Sequence, residues 1–116
     1  MRVISILLLG LLVFGCSETI YEPEAMLAED IKCPAGSEVR IDRWGPLGEN
    51  GWLKACFRGS IKHGPFMAWR NEIKRVSCHY EDGLLNGLCV YYWGNDGEKT
   101  KETNFVAGKE VSTVEY

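Results

Sequence analysis

Glycines at turn-like positions recur along the second half of the chain at a nearly constant spacing, and this repeat constrains the fold more than any other feature. Gly59, Gly83 and Gly108 are 24 and 25 residues apart, and Gly64 and Gly87 are 23 residues apart. A period of roughly 20 to 50 residues is typical of folds built from one repeated supersecondary unit. The sequence therefore predicts an assembly of similar small units.

The residues between these glycines indicate what each unit is. The aromatic residues Phe57, Tyr80 and Phe105 precede the turn glycines at separations of 23 and 25 residues. The segments after the second glycine of each unit align without a gap and set Trp69 beside Tyr92. Each unit thus contains an aromatic residue, a glycine turn, a strand ending in Trp or Tyr, a polar turn and a charged strand, which together predict a β-hairpin.

Turn residues divide the chain into short strands. We expect hairpin turns at five dipeptides that contain glycine: Asn50-Gly51, Arg58-Gly59, Asp82-Gly83, Asp96-Gly97 and Ala107-Gly108. Glu72 stands where one unit would have its turn glycine, and the last unit, over 109–112, lacks its second glycine and is expected to cap the sheet. Because an isolated hairpin is only marginally stable, the units must share a sheet. We predict an all-β, antiparallel meander of repeated hairpins over 33–116, with the repeats at about 50–116.

The first fifteen residues have the pattern of a secretory signal peptide. Arg2 precedes an apolar run over 3–14, and Gly15-Cys16 ends the run. A helix that spans a bilayer needs about 20 apolar residues, so this run is too short for a permanent span. We predict that residues 1–15 are cleaved from the mature chain.

Val13-Phe14-Gly15-Cys16 resembles the lipobox of bacterial lipoproteins. The resemblance implies that the thiol of Cys16 receives a diacylglyceryl group before cleavage, and Ser17 at the next position is similar to lipoproteins sorted to the outer membrane. Two or three acyl chains, at about 0.8 kcal/mol per buried methylene, anchor a protein stably. We therefore expect a lipid-anchored protein of the bacterial cell envelope, in the outer membrane.

An acidic segment follows the lipidation site. Residues 16–32 are expected to form a tether from the bilayer, because 17–30 hold several carboxylates and only scattered apolar residues. Residues 23–30 nevertheless have the composition for a helical turn or two.

The predicted mature chain is mildly acidic. Removal of residues 1–15 takes away Arg2, which leaves 12 Lys and Arg against 16 Asp and Glu, a net charge of −4. Nucleic acid is not expected as a partner, since binding phosphates needs a basic surface.

Four cysteines remain once Cys16 is set aside, and export favours two disulfides among them. Three connectivities are available. If Gly83-Leu84 is a two-residue loop, Cys78 and Cys89 are directly opposed on paired strands, which is close enough for a disulfide. That pairing leaves Cys33 with Cys56, a bond that would attach the segment before the repeats to the first repeat strand and contribute about 3 kcal/mol.

The sequence gives little support for a catalytic site or a metal site. Cys78, His79, Cys89 and His63 could be metal ligands by residue type, but they lack the usual spacing, and adjacent strand residues point to opposite faces. The two histidines are the only candidates for a general base beside a nucleophile. We expect no catalytic residue, no metal and no cofactor.

Aromatic residues are the remaining signal. They are expected to form the shared core of the sheet: Trp44, Trp52, Trp69, Trp93, Tyr80, Tyr91 and Tyr92. Because strand side chains alternate between faces, either Tyr91 or Tyr92 is expected to be exposed. Exposed Tyr and Trp are frequent anchors of protein interfaces, so Trp69, Tyr91, Tyr92 and Trp93 are candidate contact residues.

Two segments, 80–87 (YEDGLLNG) and 91–97 (YYWGNDG), together with 57–65 (FRGSIKHGP) and Trp69, resemble the MORN-variant repeats of YwqK-type proteins. The resemblance implies the repeat architecture, and exported proteins of this kind share a Cys-Pro-x-Gly start like that at Cys33, which also supports the 33–56 pairing. We expect a non-catalytic binding or scaffold module with a protein partner. Because YwqK-type proteins are often labelled antitoxin components, an antitoxin or immunity role is the alternative, and a hydrolase with Cys or His chemistry is the third.

Overall fold

The computed structural model of the protein describes residues 21–116, which form one antiparallel sheet and a short α-helix. The predicted signal peptide, residues 1–15, and the predicted lipidation site Cys16 lie outside the described residues. The elements are α1 Glu24–Ala28, β1 Glu38–Arg43, β2 Gly51–Arg58, β3 Ile61–Arg70, β4 Ile73–Glu81, β5 Leu84–Leu85, β6 Gly87–Tyr91, β7 Lys101–Val106 and β8 Lys109–Glu115. Within residues 21–116, no helix has the length and apolar character needed to cross a bilayer.

The sheet follows the order of the chain. Its strands run β1, β2, β3, β4, β6, β7 and β8, and the two-residue strand β5 also pairs with β4. Every pairing is antiparallel. The predicted all-β meander of hairpins is therefore confirmed, and β1 extends it by one strand before the repeats.

Residues with positive φ form the tight turns of the hairpins. Asp82 and Gly83 have φ values of 52° and 87°, and Ala107 and Gly108 have values of 50° and 86°. Positive φ at both central residues is the mark of the type I′ turn, whose twist matches that of paired strands. The predicted turn at Asp82-Gly83 is thus confirmed, whereas the loop Gly83-Leu84 assumed for the pairing of Cys78 with Cys89 is wrong by one residue, since Glu81 pairs with Leu84.

An irregularity between β5 and β6 compensates for that difference. Tyr80 pairs with Leu85, but Ser77 pairs with Val90, so two extra residues are accommodated on the second strand. The N–H of Asn86 donates a 2.9 Å hydrogen bond to the carbonyl of His79 at this point. The shift restores the predicted opposition of positions 78 and 89.

Two of the expected glycine turns are parts of longer connections. Gly51 is the first residue of β2, and a Cβ there would overlap the carbonyl oxygen of Trp44, so this glycine permits close packing of the connection 44–50. Gly97 has positive φ but lies within the nine-residue connection 92–100. Turns are present at both dipeptides, since Gly51 and Gly97 donate hydrogen bonds to the carbonyls of Gly48 and Gly94, but neither is a two-residue hairpin loop.

The hairpin between β3 and β4 explains how Glu72 can replace a glycine. The residue with positive φ in this turn is Asn71, at 55°. Asparagine tolerates the left-handed region better than most residues. Position 72 therefore needs no glycine, and the carboxylate of Glu72 instead accepts hydrogen bonds from the backbone of α1.

The two faces of the sheet are covered by different parts of the chain. The front face carries a core of five buried residues, Leu53, Ala55, Phe66, Ala68 and Val76, against which the connection 44–50 packs. The back face carries Trp52, Lys54, Met67 and Trp69, which pair across β2 and β3. Helix α1 covers part of the back face, where Met26 is 0% exposed.

Part of the segment expected as a tether belongs to the folded unit. The helical turn expected within 23–30 is present as α1, but it is docked on the sheet. The ammonium of Lys54 donates a 3.0 Å hydrogen bond to the carbonyl of Met26, and Lys74 forms a 3.0 Å salt bridge with Glu29. Burial of Met26 and these polar contacts offset the cost of ordering a short acidic helix.

Candidate functional site

The front face contains an apolar groove with a volume of about 370 Å³. Strand β4 forms its floor, and its two walls come from the connection 44–50 and from the end of β6. Ten residues line the groove: Trp44, Pro46, Leu47, Phe66, Val76, Cys78, Tyr80, Leu85, Tyr91 and Trp93. The volume lies within the range of about 300 to 1,000 Å³ that is usual for ligand pockets.

Strand alternation places the floor residues on one face. Val76, Cys78 and Tyr80 are separated by two positions along β4 and therefore point to the same side. Their neighbours across the sheet complete the surface: Phe66 pairs with Cys78, Leu85 with Tyr80 and Tyr91 with Val76.

The first wall depends on an aromatic contact between the connection 44–50 and the sheet. The rings of Trp44 and Phe66 meet edge to face, with centroids 5.2 Å apart, and Phe66 makes a similar 5.5 Å contact with Tyr80. The N–H of Trp44 donates a 2.9 Å hydrogen bond to the carbonyl of Gly51, which closes the connection. The hydrogen bond from Trp44 and its ring contact with Phe66 thus hold the connection 44–50 against the sheet.

The second wall is a pair of stacked aromatic rings. The rings of Tyr91 and Trp93 are 6.2 Å apart with an interplanar angle of 23°, and Trp93 remains 49% exposed. The guanidinium of Arg75 donates hydrogen bonds of 2.8 Å to the carbonyls of Tyr92 and Gly94. Arg75 therefore holds the backbone on both sides of Trp93.

Both predicted disulfides are present. Cys78 is joined to Cys89 with a Cα–Cα distance of 4.2 Å, and Cys33 to Cys56 with a distance of 5.5 Å. The 78–89 bond ties the floor strand of the groove to the wall strand β6. The 33–56 bond attaches the segment that follows α1 to β2.

The interior of the groove has no charged lining residue. Burial raises the pKa of Tyr80 above its usual range, and the nearby hydroxyl of Tyr91 adds to the effect. Burial likewise raises the pKa of Tyr91, with a further contribution from the carboxylate of Glu110. Both hydroxyls are therefore neutral at physiological pH and offer the groove hydrogen-bonding groups without charge.

Two lysines sit over the aromatic rings at opposite ends of the groove. The ammonium of Lys62 is 5.9 Å from the ring centroid of Phe66 and 5.4 Å from that of Tyr80. The ammonium of Lys101 is 4.7 Å from the centroid of Tyr91. Among the salt bridges of residues 21–116, none involves either lysine.

The four candidate contact residues are not brought together. Trp69 is 1% exposed on the back face, with the ammonium of Lys74 5.7 Å from its ring centroid, so its expected role as a surface contact is wrong. Tyr91 and Trp93 both line the groove. Tyr92 is half-buried outside it, and the expectation that either Tyr91 or Tyr92 would be exposed is wrong because both are partly covered.

The first wall was missed by reasoning from the repeats. Trp44, Pro46 and Leu47 precede the repeats, and their place above Phe66 depends on the fold of the connection 44–50. The available signal was compositional, since an apolar cluster at 44–47 is unusual in a connection between two strands.

Three of the four residues that are potential metal ligands by type have other partners. Cys78 and Cys89 share a disulfide and are not thiolates. Nδ1 of His63 accepts a 3.1 Å hydrogen bond from the N–H of Asp82, while His79 is exposed. In the described part of the chain, no group of three or more His, Cys, Asp or Glu side chains is arranged to hold a metal ion.

A second recess, on the back face, is acidic. Its lining includes Tyr21, Leu27 and Trp52 together with three carboxylates, Glu22, Glu24 and Glu72. The carboxylate of Glu72 is already engaged with the backbone of α1. The front groove is the better candidate binding site because its lining carries no charge and its walls are fixed.

Comparisons of the chain with protein-family models, with curated proteins and with solved structures find no match.

Proposed function

We propose that this chain is a lipid-anchored envelope protein that acts as a non-catalytic binding or scaffold module, with the front groove as its contact surface. The observation that carries the proposal is the groove itself, an apolar trough between two fixed walls that include Trp44, Tyr91 and Trp93. Trp and Tyr dominate the energetics of protein interfaces, especially in preformed pockets.

The preformed shape of the groove supports a binding role. A disulfide joins its floor to one wall, and Arg75 fixes the backbone beside Trp93. A surface that is already ordered loses little conformational entropy when a partner binds. The same rigidity suits a scaffold that holds a partner in one place.

The attachment point of the proposed anchor supports a partner in solution rather than the bilayer. Cys16 precedes Tyr21 by five residues, which reach at most about 18 Å when extended. Tyr21 lies beside Leu27 and Trp52 on the back face, opposite the groove. An anchor at Cys16 therefore holds the back-face side near the membrane and leaves the groove accessible.

The proposed family assignment agrees with this role. We propose that the hairpins are MORN-variant repeats, supported by the repeated glycine turns and the in-order sheet. An antitoxin or immunity protein is the alternative, and it would use the same groove for a toxin. A cysteine hydrolase is the weakest candidate, since Cys33, Cys56, Cys78 and Cys89 all form disulfides.

The experiment is photo-crosslinking in cells with the full-length chain, carrying p-benzoylphenylalanine in place of Pro46 at the groove edge. We expect a discrete crosslinked adduct that Trp93→Ala removes and that Val114→Ala, at an exposed position on β8, leaves intact. An adduct unaffected by Trp93→Ala, or the same adduct with the crosslinker in place of Val111 on β8, would contradict a binding role for the groove.

A further inference from the structure

We propose that the front groove binds an extended peptide segment of a partner protein that is apolar in its middle and carries a carboxylate near each end. This inference rests on the proposed binding function and names the chemistry of its ligand. It combines the uncharged lining of the groove with the placement of Lys62 and Lys101 at its two ends.

The middle of the ligand must be apolar because the groove offers mainly ring faces and aliphatic carbon. Phe66, Val76 and Leu85 provide no hydrogen-bonding side chain, and the polar atoms are the hydroxyls of Tyr80 and Tyr91. A charged group in this space would lose its hydration without a compensating partner. Apolar side chains in contact with these residues would instead remove apolar surface from water.

The ends of the ligand are defined by the two ammonium groups. Each one lies over an aromatic ring, which fixes its position, and neither forms a salt bridge with a carboxylate among residues 21–116. Glu115 is the direct cross-strand partner of Lys101 on β8 but forms no salt bridge with it, and the carboxylate of Glu110, which acts on Tyr91, accepts a hydrogen bond from Thr113. Both cations are therefore available to a carboxylate of a ligand.

The spacing of the lysines sets the length of the segment. Tyr91 and Lys101 align with Val76 on the floor strand, and Tyr80 lies four positions further along it. Lys62 lies two positions beyond the partner of Tyr80, which is Gly64. Six positions at about 3.3 Å each give about 20 Å along the strands between the two lysine backbones, and the end residues of an extended hexapeptide are about 17 Å apart, which is a similar length.

Cations at both ends favour a peptide over a lipid. A fatty acid or phospholipid chain has its anionic group at one end and would use one lysine. A peptide segment with an acidic residue on each side of its apolar part would pair with both Lys62 and Lys101. The proposed anchor also keeps the bilayer on the back-face side.

The test uses the full lipidated chain in zwitterionic nanodiscs, with empty nanodiscs as the blank. Three fluorescein-labelled hexapeptides share the middle Leu-Val-Leu-Val and differ in their two end residues, which are Asp and Glu, Asn and Gln, or Lys and Lys. Binding is measured by fluorescence anisotropy. Each exposed ion pair changes affinity by about 1.5- to 5-fold, so the acidic peptide should bind about 2- to 25-fold more tightly than the neutral one.

Charge reversal makes the test specific to the two lysines. Lys62→Glu with Lys101→Glu should reverse the order, so that the lysine-ended peptide binds most tightly. Lys32→Glu with Lys109→Glu makes the same change in net charge at exposed sites outside the groove and should leave the order unchanged. If the glutamate pair unfolds the chain, Lys62→Gln with Lys101→Gln should abolish the preference.

Three results would overturn the proposal. One is an order of affinities that stays the same in the Lys62 and Lys101 variants. Another is displacement of the acidic peptide by laurate at lower concentration than by unlabelled peptide, which would identify a lipid ligand. The third is that no peptide binds. If the crosslink from position 46 still depends on Trp93 in that case, the proposed binding function survives and only the peptide proposal fails.

Discussion

The carboxylate of Glu72 accepts a hydrogen bond of 2.8 Å from the backbone N–H of Ala25, joining the β3–β4 hairpin to the first turn of α1. A second bond of 3.0 Å comes from the N–H of Glu24. A carboxylate at this end of a helix satisfies backbone N–H groups that have no partner within the helix. The position where the repeat loses its glycine is thus the position that docks the N-terminal segment.

Removal of this contact should loosen the docking of α1. We expect Glu72→Ala to lower the free energy of unfolding by about 0.5 to 2 kcal/mol, the usual value of a lost helix cap, as measured by urea denaturation. Glu115→Ala, at an exposed end of β8, removes the same charge and should have a smaller effect. Equal effects of the two variants would mean that the cap contributes nothing.

The two disulfides should each contribute about 3 kcal/mol, because loop-closure entropy depends only on the logarithm of loop length and the separations are 23 and 11 residues. Mass mapping of peptides from the non-reduced protein should recover Cys33 with Cys56 and Cys78 with Cys89. Cys89→Ser should lower the free energy of unfolding by about that amount. Any other pairing would contradict the register between β4 and β6.

Gly64 should tolerate no side chain. Its φ is +124°, and a Cβ would lie 2.7 Å from Cδ of Pro34 and 2.9 Å from Cβ of Cys56. Gly64→Ala is expected to cost about 3 kcal/mol or more in thermal or urea unfolding, because backbone strain and steric overlap add. Gly36→Ala, also at positive φ but in open space, isolates the strain and should cost about 1 to 2 kcal/mol. The prediction fails if the two losses are equal.

Alkaline pH should destabilise the groove through Tyr80. Its pKa is raised in the folded chain, mainly by burial, so above the ordinary tyrosine pKa of about 10 the unfolded chain loses its proton first. The free energy of unfolding should therefore fall as pH rises from about 10 towards the folded pKa. Urea denaturation at pH 8 and above pH 10 should show a smaller fall for Tyr80→Phe than for the parent. Tyr116→Phe, at an exposed position, serves as the control.

The proposed anchor has a direct chemical test. Cells grown with radiolabelled palmitate should incorporate label into the parent protein and into Cys33→Ser but not into Cys16→Ser. The unlabelled variant should also leave the membrane fraction, because its anchor is lost. Label on Cys16→Ser would contradict the proposed lipidation site.

The strands and disulfides could be predicted because their determinants are local. Turn glycines and alternating aromatics define hairpins within about 25 residues, and opposition of Cys78 with Cys89 needs only the register of one hairpin. The register itself was right through compensation, since the loop was misplaced by one residue and a two-residue irregularity restored the pairing. Exported chains with four cysteines also offer few alternatives.

The groove and the docked helix could not be predicted because they depend on distant contacts. Glu72 and Ala25 are 47 residues apart, and nothing in the acidic composition of 16–32 indicates a partner on the sheet. The wall at 44–47 depends on the contact between Trp44 and Phe66. Trp69 and Trp93 look equivalent as aromatic residues at strand ends, yet one is buried on the back face and the other is half exposed at the groove.

The central claim is that the front groove is the contact surface, and a scan of the crosslinker over both faces tests it most directly. The full-length chain in cells should form the same discrete adduct from positions 46, 47 and 85, which line the groove, with no such adduct from positions 27, 88 and 111, which are exposed outside it. The adduct should weaken at every groove position when Trp44 is changed to Ala. An adduct formed equally from both sets, or from the outer set alone, would contradict the claim.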